Sequence, residues 1–224
     1  MIKAIFYKEW IKCRAVVILL TLIAVAFVTY LFINNANLLR TSGAVAVWSQ
    51  VAEGGYSLFS LYIKIFMPLS AIVIATMQYG VEMTNKRFKL TLHLPHSEFK
   101  ITAAMQLFGI SMVTALYTTL LLPCYVGLSI YYPRELIVAM FVSLVPYILA
   151  GLSSYLFAMW VIIEPIWRRR VVNLLIAVVS LTPFTIDAML WATTPAIPSL
   201  IAVVAASAVT AYYAVARFKD GAQN

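Results

Sequence analysis

The sequence predicts an all-α integral membrane protein. It would form a single transmembrane domain over residues 1–224, with six spans, a short amphipathic helix ahead of the first and a short cytoplasmic helix between the second and third. Three observations predict this. Hydrophobic residues make up 63% of the chain and charged residues only 11%, whereas a soluble domain is about half apolar and about a quarter charged. Six apolar stretches, near 15–33, 59–81, 102–129, 136–161, 171–190 and 198–216, are each long enough for a helix to cross a bilayer, which takes about 20 residues. If these stretches alternate in direction, all but three of the 16 basic residues fall on one side of the membrane.

Residues 1–13 open the chain as an interfacial helix. Ile2, Ile5, Phe6, Trp10 and Cys13 recur at steps of three and four, and Lys3, Lys8 and Lys12 lie away from them. An apolar face and a basic face describe a helix lying in the membrane surface. The charged lead includes Glu9, and the apolar run after it exceeds the roughly 7–15 residues of a signal peptide, so it reads as a retained first span. The connection from Asn34 to Leu58 follows, with Ala44 to Val51 fitting a short helix. Pro68, Pro123, Pro146 and Pro183 fall inside spans, where neighbouring helices re-satisfy the backbone. The third stretch is long and should tilt or bend at Pro123. The small residues of Gly151-Leu152-Ser153-Ser154 predict close helix packing. Trp10, Trp160 and Trp167 toward one interface, with Trp48, Tyr131, Tyr132 and Trp191 toward the other, form an aromatic belt.

The net charge of +8 does not point to nucleic acid, because its distribution follows the spans. Lys3, Lys8, Lys12 and Arg14 precede span one. Lys86, Arg87, Lys89 and Lys100 separate spans two and three. Arg168, Arg169 and Arg170 separate four and five, and Arg217 and Lys219 follow six. Positive residues mark the cytoplasmic side, which places both termini and the polar stretch 82–101 there. Inside the spans only Lys64 and Asp187 are ionisable, both toward the outer end. Lys64 can snorkel to the interface, and a Lys64–Asp187 pair is a further option at that depth.

Enzymatic patterns are missing. There is no G-x-x-x-x-G-K-[ST] phosphate loop, no H-E-x-x-H and no Cys/His cluster for a metal. His93 and His96 flank Pro95, which breaks any helix that could aim both at one ion. Cys13 and Cys124 would lie near opposite faces, about 30 Å apart, too far for a disulfide. No catalytic residue, metal site or cofactor is therefore expected in this chain.

The polar segment 82–98 is the most informative part. Residues 82–94 can form a short helix with Glu82, Lys86, Lys89 and His93 on one face and Met83, Leu90 and Leu94 on the next, beside Phe88 and Leu92. Glu82 and Lys86 stand in the favourable order for an ion pair. Pro95 ends the helix. Ser97 suits an N-cap for span three, and Glu98 suits the positive end of that helix.

Phe6-Tyr7-Lys8-Glu9-Trp10-Ile11-Lys12, Glu82, Leu90-Thr91-Leu92-His93-Leu94-Pro95, Ser97 and Ile101, together with the topology, resemble the permease subunits of ABC transporters of the type-2 exporter family. The resemblance covers the whole chain. This chain has no Gly-Thr pair in the motif and carries Glu98 where arginine is common. The resemblance implies an N-terminal elbow helix with Phe6, Lys8, Glu9 and Trp10 at the interface. It implies a coupling helix whose Glu82, Lys86, Arg87, Phe88, Lys89, Leu92 and Leu94 meet the motor. It also implies separate ATP-binding subunits that hold ATP and magnesium, a second copy or a related permease, contact with membrane lipids, and the plasma (inner) membrane of a prokaryote. A non-transporting six-span scaffold or assembly factor is the alternative, and an intramembrane enzyme a more distant one.

Overall fold

The computed structural model describes residues 2–53, 59, 61–84, 97–185 and 194–219. Every regular element among them is helical: α1 (Ile2–Ser42), α2 (Ala44–Ala52), α3 (Leu61–Ala75) continuing through a π-helix (Thr76–Gly80) into α4 (Val81–Thr84), α5 (Glu98–Leu128), α6 (Arg134–Ile163), α7 (Trp167–Leu181) and α8 (Ile197–Lys219). Short 3₁₀ turns at Thr182–Thr185 and Thr194–Ala196 follow α7 and precede α8. Among the described residues, five helical segments are long and apolar enough to cross a membrane: Lys3–Ser42, Leu61–Thr84, Glu98–Leu128, Arg134–Ile163 and Thr194–Phe218. The chain is thus an all-α membrane protein. Of the expected fifth span at 171–190, α7 and the turn after it are described. Its remainder, with Asp187, lies outside the described residues.

The first helix differs from expectation. The interfacial helix and span one are a single unbroken helix of 41 residues, about 60 Å long at 1.5 Å per residue. No glycine or proline precedes Gly43, so nothing turns the chain near residue 14 or at Asn34. Gly43 ends the helix at φ 79°, a left-handed value that glycine takes without a Cβ clash. Helix α2 then covers the short helix expected there.

Helix α6 sits at the centre, packed along α3 and α8, while α1 lies along α5. Half of the most apolar window of α6 is buried, against 22% for α1, so α1 is the peripheral helix. Helices α5 and α6 interlock through two reciprocal pairs. A Cβ on Gly109 would stand 1.9 Å from the Tyr155 hydroxyl, and one on Gly151 would stand 1.8 Å from the Tyr117 hydroxyl. Each tyrosine therefore fills the space of a missing side chain on the other helix, the close packing expected for 150–154. Tyr117 goes on to donate to Met67 O at 2.6 Å, where Ser70 also donates at 2.9 Å. Both bonds fall beside Pro68, which cannot make its own helical hydrogen bond. Ser97 takes the N-cap position of α5 in extended backbone, but its hydroxyl makes no capping bond.

Candidate functional site

At one end of the bundle, α1 meets the root of the polar segment through a cluster of four charged side chains. Lys8 and Lys12 are one turn apart on α1, and both reach the Glu82 carboxylate on α4, at 2.6 and 2.9 Å. The Lys12 ammonium also stands 2.6 Å from Glu9 Oε2. That approach is an ion pair by distance, although neither oxygen of Glu9 completes a well-aligned hydrogen bond. Glu9 and Glu82 are 0% and 1% exposed. Two carboxylates and two ammonium groups balance, which is what lets the acids be buried.

The cluster continues inward. Lys12 Nζ donates to the Gln78 carbonyl at 3.4 Å. Gln78 sits in the π-helix, a turn that holds one residue more than an α-turn and often marks functional positions. Its side-chain amide donates to Met105 O on α5 at 2.9 Å and accepts from the Tyr155 hydroxyl on α6 at 2.7 Å. The Tyr155 and Tyr79 hydroxyls lie 3.2 Å apart. Gln78, Tyr79 and Tyr155 are all fully buried. A line of polar contacts thus joins α1, the end of α3–α4, α5 and α6.

Glu82, expected in the coupling segment, is a buried group bound to α1; its expected pairing with Lys86 lies outside the described residues. Lys86, Arg87, Phe88, Lys89, Leu92 and Leu94 lie outside the described residues, as do His93 and His96. On α1 the inward face is Ile5, Glu9 and Cys13, and Trp10 faces out at 40% exposure. Glu9 is therefore on the packed face. The Phe6 ring packs edge-on against Phe108, centroids 5.4 Å apart. Lys64 stands over the Tyr147 ring at 5.1 Å, a cation–π contact rather than a reach to the interface alone. Cys13 and Cys124 are buried free thiols.

A second charged cluster was not legible beforehand. Glu164, at the α6–α7 turn, is 0% exposed. Its carboxylate is bound by the Arg217 guanidinium from α8 and lies 3.5 Å from the Asn173 amide. Arg170 donates to the Glu164 carbonyl at 2.8 Å and to Ile162 O at 3.4 Å. The basic run at 168–170 is thus divided: Arg168 and Arg169 are exposed, and Arg170 is used inside. The available signal was the single acid, Glu164, beside a run of three arginines.

Neither cluster is built for acid–base chemistry on a substrate, because both acids of the first and the acid of the second are sealed from solvent and spent on cations. What they can do is hold helix ends rigidly. Among the described residues no three His, Cys, Asp or Glu side chains group as metal ligands. Comparison with protein families, with curated proteins and with solved structures finds no match to this chain.

Proposed function

We propose that this chain is the membrane-spanning permease subunit of an ATP-driven ABC transporter, an exporter of the type-2 kind, worked by separate ATP-binding subunits that grip the 82–98 segment. The observation that supports this most is how the root of that segment is held. A connection that only sets topology needs no rigid base. Here Glu82 is buried and clamped by Lys8 and Lys12, and the adjoining π-helix is tied to α5 and α6 through Gln78. A segment that must pass a push to the membrane helices needs such a base, so that the helices rock as bodies rather than bend locally.

In this reading six spans cross the plasma (inner) membrane of a prokaryote with both termini in the cytoplasm, and residues 171–190 complete the fifth. Phe88, Leu92 and Leu94 supply apolar contacts to the motor, and Lys86, Arg87 and Lys89 charged ones. A second copy or a related permease completes the pair. The chain has no phosphate loop, so ATP and magnesium belong to the partner subunits.

The test is purification from native membranes. The tagged chain should bring down a subunit bearing a phosphate loop, and Phe88→Asp with Leu92→Asp should lose that subunit while membrane insertion is unchanged. Recovery of the wild-type chain with no such ATPase would refute the reading and favour a scaffold. Retention of the ATPase by the double variant would refute the coupling assignment.

A further inference from the structure

At the opposite end of the bundle α1 meets α5 again. Asn35 is 26 positions beyond Glu9 on the same unbroken helix, about 39 Å along it. That distance exceeds the roughly 30 Å of hydrocarbon, so if the ion clusters mark one membrane face, Asn35 is at the other. Gly127 lets the chains approach there, since a Cβ on it would lie 2.3 Å from the Phe32 ring. Beside this contact is a recess of about 380 Å³ lined by Phe32, Ile33, Asn35, Ala36, Gly127, Ile130 and Tyr131, within the size range of ligand sites.

Its walls are apolar apart from Asn35 and the exposed Tyr131, which carries a hydroxyl. That side chain is 2% exposed, and its amide oxygen accepts a hydrogen bond from the Tyr132 hydroxyl. Among the described residues its amide nitrogen has no acceptor. That nitrogen is not sealed from the surface; it belongs to a residue that lines the recess, where an acceptor can reach it. A similar groove of about 400 Å³ between α5 and α6 differs: its one buried polar side chain, Tyr117, already donates to Met67 O, and its other hydroxyl-bearing residues, Thr114, Thr118 and Tyr125, are exposed.

We propose that the Asn35 recess binds one glycerophospholipid of the leaflet opposite the ion clusters. Its acyl chain lies along Phe32, Ile33, Gly127 and Ile130, and its ester carbonyl accepts the hydrogen bond from Asn35 Nδ2. Depth and chemistry both select this occupant. The ester carbonyls of a bilayer lie just outside its hydrocarbon, at the level of Asn35, and carry acceptors but no donors.

The test is native mass spectrometry of the protein from nanodiscs of diester phosphatidylcholine or its diether analogue, which lacks the carbonyl. Wild type should retain one diester lipid per chain and hold the diether lipid about 3- to 10-fold less tightly, the worth of one hydrogen bond. Asn35→Leu should weaken diester binding by the same factor and erase the preference. Ile130→Trp should fill the recess and abolish retention. Tyr132→Phe removes only the partner of the amide oxygen and should keep the lipid, and it serves as the folding control. Equal retention of both lipids by wild type, or unchanged retention in Ile130→Trp, means annular lipid only and overturns the proposal. So does a dimer that Ile130→Trp disrupts while the lipid count stays constant.

Discussion

Replacing Lys12 by methionine should be the most damaging single change at the α1–α4 junction. Lys12 bridges both buried acids, at 2.6 Å from Glu9 and 2.9 Å from Glu82. Without it Glu9 loses its close ion pair and is left with the weaker pull of Lys8, while Glu82 retains its pair with Lys8. Removing one partner of a buried pair costs about 3–5 kcal/mol, because a charge is left buried and unpaired. Lys12 is 16% exposed at its side chain and Lys8 43%. Lys8→Met should therefore behave as the loss of a surface pair, at about 0–1 kcal/mol. For a domain of this size each kcal/mol moves the midpoint by about 2–4 °C, so Lys12→Met should lower it by roughly 6–20 °C. Thermal unfolding in detergent, followed by circular dichroism, reads this directly. Adding Glu9→Gln and Glu82→Gln to Lys12→Met should recover at least half of the loss, because the acids no longer need a cation. Equal losses for the two lysine variants, or no recovery in the triple variant, would refute the reasoning.

Two further changes are expected to separate structure from surface. Arg217→Leu should cost about 3 kcal/mol by leaving Glu164 buried without its guanidinium, while Arg168→Leu, an exposed neighbour of the same run, should leave the unfolding midpoint unchanged. Gly151→Ala should cost about 1–3 kcal/mol by overpacking, since its new methyl would meet the Tyr117 hydroxyl and ring. Thermal unfolding of each variant checks it, and a midpoint at or above wild type would sink the interlock described for α5 and α6.

The helices were legible because each is a long apolar run, and apolar length is what a bilayer demands. Gly151 was legible too, because small side chains in a span have few uses besides close approach. What the sequence hid was tertiary. Glu82 has a lysine four positions on, and that local pairing is visible in a string of letters. Its pairing with Lys8 and Lys12, 74 and 70 positions earlier, is not. Glu9 hid for a related reason. Periodicity sorts residues by polarity, so an acid on the same face as Ile5 and Cys13 is read as an exception when it is a buried ion-pair member. The expected break between an interfacial helix and span one rested on the amphipathic pattern of residues 1–13, and a change of pattern cannot bend a helix that contains no breaker.

Helix α1 is a rod about twice as long as the hydrocarbon is thick. The ammonium groups of Lys8 and Lys12 sit near one end and the Asn35 recess toward the other. A rod without a joint has no independent ends. Tilting it by about 5° about its midpoint displaces each tip by roughly 3 Å in opposite senses, given its length. At Phe32, about 15 Å from the midpoint, the shift is about 1.3 Å, which alters its close contact with Gly127. Whatever shifts the charged tip is therefore felt as a change of fit at the far leaflet, with no intermediate part required.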